Sequence, residues 1–324
     1  MTDMELPIEL KIAIEDQLTG INYAQLMQDA QMLSKSYRTE SGHGKRLLKN
    51  DNEAVAYSVV RMPATYGAVH SALKYTLDLA DCDIKSLLDI GAGTGAASWA
   101  ADSLLDLQSI LCLEREHAMY EVGHKMMLNG SPSLSEARWI QHDLVTDSIT
   151  EKADLVIASY VLNELDDENR MKALDKLWDA TNKIALIVEP GTPAAFSQII
   201  KAREHLLSKG AHMIAPCPHQ DNCPMEQDDW CHFACRIQRS KLHRRLKEGD
   251  APYEDEKFSY MAFSRVHYKN AEARILRHPI IETGRISLNI CKKDGIERMT
   301  VTKKSSIYKD ARKAQWGDEI STDL

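Results

Sequence analysis

The chain has 324 residues, 44% of them hydrophobic and 27% charged, with a formal net charge of −8. That length suits a core domain with appendages and a full hydrophobic core, and it exceeds a single average domain. No run approaches the roughly 20 apolar residues of a membrane span, so no membrane partner is expected, and the acidic balance argues against a nucleic-acid binder that uses its whole surface.

The first twenty residues, MTDMELPIELKIAIEDQLTG, mix acids with apolar residues. They match neither a signal peptide nor an Arg/Ser-rich transit peptide, which makes a cytoplasmic location the expectation. Residues 1–80 read as a helical N-terminal cap. INYAQLMQDAQMLSKSYR and EAVAYSVVRMPATYGAVHSALKYTLDLA repeat apolar residues every three or four positions. Pro63 is expected to break or kink the second stretch at Met62.

Over 81–200 the pattern changes. Short apolar runs, IKSLLDIG, SILCLERE, RWIQHDL, ADLVIASYV and KIALIVEPG, alternate with helical stretches starting near Ala96, Ala118 and Asp167. Strands buried on both faces and separated by helices predict an α/β fold with a Rossmann-like doubly wound parallel sheet. The first strand runs into Asp89-Ile-Gly91-Ala-Gly93-Thr-Gly95. Such glycines let a backbone turn sharply and approach a ligand closely.

The same residues fit both a dinucleotide site and an S-adenosylmethionine site. Acids at three strand ends favour S-adenosylmethionine. Asp89 is placed to meet the cationic methionine end, Glu114 to accept from the ribose hydroxyls and Asp143 to accept from the adenine amino group, with Ser159 at the end of the fourth strand. Asn163 and Glu164 after the fourth strand, and Glu189 at the end of the fifth, are the catalytic candidates facing a transferred methyl group. Methyl transfer depends more on positioning than on acid–base chemistry. Neither an Asn/Asp-Pro-Pro-Tyr/Phe signature nor a catalytic cysteine beside proline appears at these strand ends, and Asn163 and Glu164 also read as a helix start.

Residues 201–257 form a cysteine-rich and basic segment, expected to be partly helical after Trp230. Cys217, Cys223, Cys231 and Cys235 fall within 19 residues, a clustering that points to a metal rather than to disulfides in a reducing compartment. The spacing is that of neither a zinc ribbon nor a radical S-adenosylmethionine enzyme. Arg236, Arg239, Lys241, Arg244, Arg245 and Lys247 follow without an intervening acid. On a helix they would form a phosphate-contacting ridge or a solvated face. Residues 258–324 hold strand candidates FSYMAFSR, GRISLNICK and IERMTVTK, the last two joined by a hairpin around Asp294-Gly295.

The block CPHQDNCP…DDWCHFACRIQRSKLHRRLK…EDEKFSYMAFSR, with YSVVRMPATYGAV, LLDIGAGTG, SYVLNEL and VEPGTP upstream, resembles the Rsm-type family of methyltransferase-like proteins. The resemblance runs from about residue 54 to the C-terminal QWGD. It implies a class I methyltransferase fold, small-subunit rRNA or the small ribosomal subunit as partner, and a four-cysteine site for a 4Fe–4S cluster, with zinc as the alternative. The implied ligands are Cys217, Cys223, Cys231 and Cys291, with Cys235 as the rival fourth ligand. The implied function is a methyltransferase acting on rRNA; an assembly factor that binds rRNA and S-adenosylmethionine without transfer is the alternative, and a small-molecule methyltransferase a third.

Overall fold

In the computed structural model, which describes residues 3–39, 50–226, 228–247 and 249–323, the chain begins with a short strand, β1 (Asp3–Met4), and four helices. These are α1 (Ile8–Asp16), α2 (Tyr23–Thr39), α3 (Asp51–Val60) and α4 (Met62–Leu77). The break between α3 and α4 falls at Arg61, and Pro63 occupies the first turn of α4. A proline there sacrifices no helical hydrogen bond, so the expected interruption is a clean restart.

Strands and helices then alternate: β2 (Ser86–Ile90), α5 (Ala96–Asp102), β3 (Ser109–Glu114), α6 (His117–Met127), α7 (Pro132–Ser135), β4 (Arg138–Gln141), β5 (Ala153–Ser159), α8 (Asp167–Ala180), β6 (Thr181–Pro190) and α9 (Pro193–Ser208). The helices start at side-chain caps where the sequence offers them. Asp166 accepts the Asn169 N–H at the start of α8, and Thr192 accepts the Ala195 N–H at the start of α9. Next come β7 (His212–Ala215), β8 (Phe233–Gln238), α10 (Lys241–Leu246) and β9 (Tyr253–Ser264). The chain ends with β10 (Ala273–Ile275), β11 (Ile280–Glu282), β12 (Arg285–Lys292), β13 (Gly295–Thr302), α11 (Tyr308–Lys313) and β14 (Glu319–Ile320).

The main sheet has the order β1-β8-β9-β6-β5-β2-β3-β4, with β7 also paired to β9. From β4 to β6 all neighbours are parallel, and β9 runs antiparallel to β6. Alternate residues feed two separate cores. Leu155 and Ile157 of β5 face one with Leu87, whereas Val156 and Ala158 face the other with Leu88. A strand covered by helices on both faces has no polar side, which is why these segments read as continuous apolar runs. The Rossmann-like α/β expectation holds. The stretch after Trp230 is partly helical as expected, in α10, with the strand β8 before it. The run FSYMAFSR belongs to the twelve-residue β9 of the main sheet and crosses the boundary expected at 257/258.

The remaining strands form a second sheet, ordered β11-β12-β10-β14 with β13 on β12, around a small core of its own. The expected hairpin closes with Lys292 opposite Gly295. Among the described residues no helix is long and apolar enough to cross a membrane.

Candidate cofactor cleft and cysteine site

β2 ends at Ile90, and the chain turns through Gly91, Gly93 and Gly95, all at positive φ (66°, 58° and 84°). Side chains other than glycine rarely tolerate that region. A Cβ on Gly91 would lie 2.6 Å from Val161 Cγ2, so this turn is also sterically reserved. The N–H groups of Gly91 and Ala92 both donate to Leu113 O, at 2.8 and 3.0 Å, which folds the loop over the end of β3.

Glu114 is the last residue of β3 and braces this loop. Its Oε2 accepts the Gly93 N–H and its Oε1 the Glu116 N–H, each at 2.7 Å. Burial pushes its carboxyl above the ordinary range against the pull of those two bonds. Asp89 lies beneath the loop. It is fully buried, and its Oδ2 accepts the Ser98 N–H (3.1 Å) and hydroxyl (2.7 Å), tying β2 to α5. Desolvation raises the Asp89 carboxyl to about 7.

A cleft of about 980 Å³ opens at the carboxyl ends of β2, β3, β5 and β6. Of the residues expected in the site, Gly91, Gly93, Glu114, Asp143, Ser159, Asn163 and Glu164 line it; Asp89, Gly95 and Glu189 lie behind its wall. Asp143 keeps its own turn closed by accepting the Val145 N–H at 2.9 Å. Asn163 and Glu164 sit in a single 3₁₀ turn after β5. The Asn163 Oδ1 is buried without a partner, whereas burial and then the charge of Glu114 raise Glu164 to about 7. Glu189 is 2% exposed and accepts the Leu162 N–H at 2.9 Å, and burial raises it to about 8. It therefore holds the 3₁₀ turn from behind.

Residues that sequence reasoning did not single out complete the cleft. Arg61, at the α3/α4 break, reaches Glu256 of β9 at 3.5 Å, and Tyr160 donates its hydroxyl to the same carboxylate at 2.9 Å. Tyr160 adopts φ 59°, a strained value for a tyrosine. Gln198 of α9 presents a buried Oε1 without a partner. These groups come from distant segments; Arg61 and Tyr160 lie in the quoted runs YSVVRMPATYGAV and SYVLNEL, but no spacing marks them as partners.

The cysteines divide into two sets. Cys217, Cys223, Cys231 and Cys291 line one small cavity together with Pro216, Pro218, Pro224 and Arg274. Cys235 is elsewhere: it lies on β8 against α4, where a Cβ on Gly67 would meet its Sγ at 3.1 Å. With about 3.3 Å per residue, a strand carries Cys235 well away from Cys231, where a helix would have stacked them. Burial pushes up the Cys217, Cys231 and Cys291 thiols, Cys291 to about 12, and the neighbouring cysteines add to the shift. All seven cysteines are free, and among the described residues no three His, Cys, Asp or Glu side chains stand in position to hold a single metal ion.

The basic run is not one helical ridge. Arg236 lies on β8, stacked 3.9 Å from the Tyr253 ring and paired with Asp255 at 2.6 Å. Arg239 and Lys247 both bind Glu254, at 3.3 and 2.5 Å, and face the cleft. Lys241, Arg244 and Arg245 lie on α10, around a shallow surface depression. The strand β8 breaks the helical spacing, and the acids of β9, its antiparallel partner, neutralise half of the run.

A parallel sheet extended by an antiparallel β9, with a glycine-loop cleft at its carboxyl edge, defines a Rossmann-like α/β protein. Residues 51–321 match the family model described as mitochondrial small ribosomal subunit Rsm22, and the chain belongs to that family. Relatives include the human mitochondrial ribosome assembly protein METTL17, 25% identical over 87% of this chain, and Rsm22-cox11 tandem protein 2, mitochondrial, of Schizosaccharomyces pombe, 24% identical over 98%. The chain spans 65% of the length of the first and 50% of the second. The solved N-methyltransferase NodS from Bradyrhizobium japonicum, in complex with S-adenosyl-l-homocysteine, is similar with a TM-score of 0.42 at 14% identity, over 74% of this chain and 99% of that one. The family description and both named relatives are mitochondrial, which overturns the cytoplasmic expectation. That expectation rested on the composition of twenty residues, too weak a physical signal to carry a location.

Proposed function

We propose that this chain is a methyltransferase-like ribosome assembly protein that binds S-adenosylmethionine and acts on or binds small-subunit rRNA. The observation that carries the reading is the Glu114-braced glycine loop opening onto the cleft, in a chain of this family. An ionised carboxylate offers about four lone-pair positions. Glu114 uses two on Gly93 and Glu116, which leaves two for ribose hydroxyls. Asp143 at the neighbouring strand end suits the adenine amino group. Bound in this cleft, the cofactor supplies an electrophilic methyl group. Asn163 and Glu164 would face it, the Asn163 Oδ1 being an acceptor in need of a donor such as an exocyclic amine. Asp89 and Glu189 serve from behind, one holding α5 and the other the 3₁₀ turn.

The second part of the proposal is an iron–sulfur cluster on Cys217, Cys223, Cys231 and Cys291. Thiolates are soft donors suited to such clusters. The four cysteines line one small cavity, and zinc, the alternative, would take the same thiolates. When bound, the cluster would tie the loop after β7 to β12 of the second sheet, a long-range staple.

A non-catalytic assembly factor is the second reading, favoured by the burial of Glu189 behind the cleft wall. Incubation with labelled S-adenosylmethionine and precursor small subunits separates the two. Label in the rRNA, lost in Asn163→Ala, supports the enzyme. Tight binding of cofactor and precursor without label transfer supports the assembly factor.

A further inference from the structure

Two arginines share the surroundings of the four cysteines. Arg274 of β10 is opposite Cys291 in the strand register, lines the same cavity and is 2% exposed. Its Nε donates to Pro216 O at 3.1 Å and its Nη1 to Gly317 O at 2.8 Å, while Nη2 is buried without an acceptor. Arg203 of α9 is 3% exposed and donates Nη2 to Asp221 O and His219 O, at 2.6 and 3.2 Å. Its Nε is buried without an acceptor. The two Nη2 bonds fix Arg203 against the loop between Cys217 and Cys223.

Neither guanidinium has a carboxylate partner among the ion pairs of the described residues. Asp318 feels the charge of Arg274 and accepts the Gln315 N–H at 2.8 Å, but forms no ion pair with the guanidinium among the described residues. Arginine does not deprotonate in proteins, so two cations are buried here without matched anions. Burying a charge is costly unless it is paired. The four cysteines beside them supply negative charge when a metal holds them as thiolates. Four thiolates on an oxidised cubane core leave roughly two negative charges, which two guanidinium groups balance.

We propose that Arg203 and Arg274 are the charge-compensating residues of the four-cysteine site, together setting its reduction potential. This rests on the iron–sulfur reading above. The potential of such a cluster responds to net charge, hydrogen bonds to sulfur and exposure, and the two arginines bear on the first two.

The test uses the full chain purified without oxygen, as wild type and as Arg203→Gln, Arg274→Gln, Arg203→Lys and Arg274→Lys. Iron and sulfide content and the midpoint potential are read by chemical analysis and optical redox titration. Each glutamine variant is expected to keep its iron with reduction disfavoured at least tenfold, a midpoint about 59 mV lower for a one-electron couple. The lysine variants are expected within about threefold of wild type. Full iron with wild-type potential in both glutamine variants overturns the inference. If those variants are insoluble the lysine variants decide: iron retained near the wild-type potential supports charge compensation, and iron lost overturns it. A wild-type chain without iron or sulfide overturns the cluster reading itself, and this inference with it.

Discussion

Replacing Glu114 by Gln separates the two duties of that side chain. The substitution keeps the shape but turns one acceptor oxygen into an NH₂ donor, so either the Gly93 or the Glu116 N–H, each now 2.7 Å from a carboxylate oxygen, faces a donor. A hydrogen bond to a charged group contributes about 1.5–3 kcal/mol. Relief of the buried charge offsets part of its loss, since burial already raises the carboxyl. The unliganded protein is therefore expected to lose roughly 2 kcal/mol of stability by urea titration. The ribose would lose at least one charge-assisted bond of the same size, and at about 1.4 kcal/mol per decade its affinity by calorimetry should fall roughly 10- to 100-fold. Unchanged stability together with unchanged affinity for S-adenosylmethionine would refute the assignment. A stability loss alone would leave Glu114 as a loop brace and remove it from the cofactor site.

Glu189 makes stability pH-dependent. Its folded value of about 8 lies above the ordinary 4.5, so the native state keeps a proton that the unfolded chain releases, and stability falls as pH rises from about 4.5 to 8. Glu189→Gln should flatten that slope and stabilise the protein above pH 8, by at most about 5 kcal/mol at 1.36 kcal/mol per pH unit; an unchanged pH profile in thermal melts argues that the carboxyl is ionised when buried. Cys231→Ser should lose metal and solubility together because metal binding is coupled to folding, whereas Cys235→Ser, outside the cavity, should keep full metal; equal metal content in both would disconnect the cavity from metal binding. Reversing Arg244 and Arg245 to Glu should weaken rRNA binding and lower its salt dependence by about two phosphate contacts, while Arg236→Gln, whose partner is Asp255, should have less effect. Equal losses would make the whole run, and not α10, the contact surface.

Local pattern carried the central sheet. Five apolar runs bounded by turn residues became β2 to β6, and a proline and a two-residue turn marked the α3/α4 break and the β12/β13 hairpin. These features follow from backbone sterics and from burial on both faces, which act within a few residues. The glycine loop and Glu114 were legible for the same reason: tight turns at strand ends leave few alternatives to glycine. The helix expected after Trp230 is confined to the short α10, because β9 offers the residues before it an antiparallel partner, and a partner twenty residues away outweighs local helical preference.

Tertiary structure alone decided which groups meet. Asp89 and Glu164 are both acids near strand ends, yet one is sealed under the loop and the other lines the cleft. The choice depends on what packs over each, which residue type cannot tell. The same holds for the cysteines. Cys235 is four residues from Cys231 in sequence, but Cys291, sixty residues away, shares its cavity, because β12 of the second sheet comes beside the loop after β7. Arg203 and Arg274 had no sequence signal at all. Their meaning comes from burial without a counter-charge, a property of three-dimensional packing that no spacing along the chain encodes.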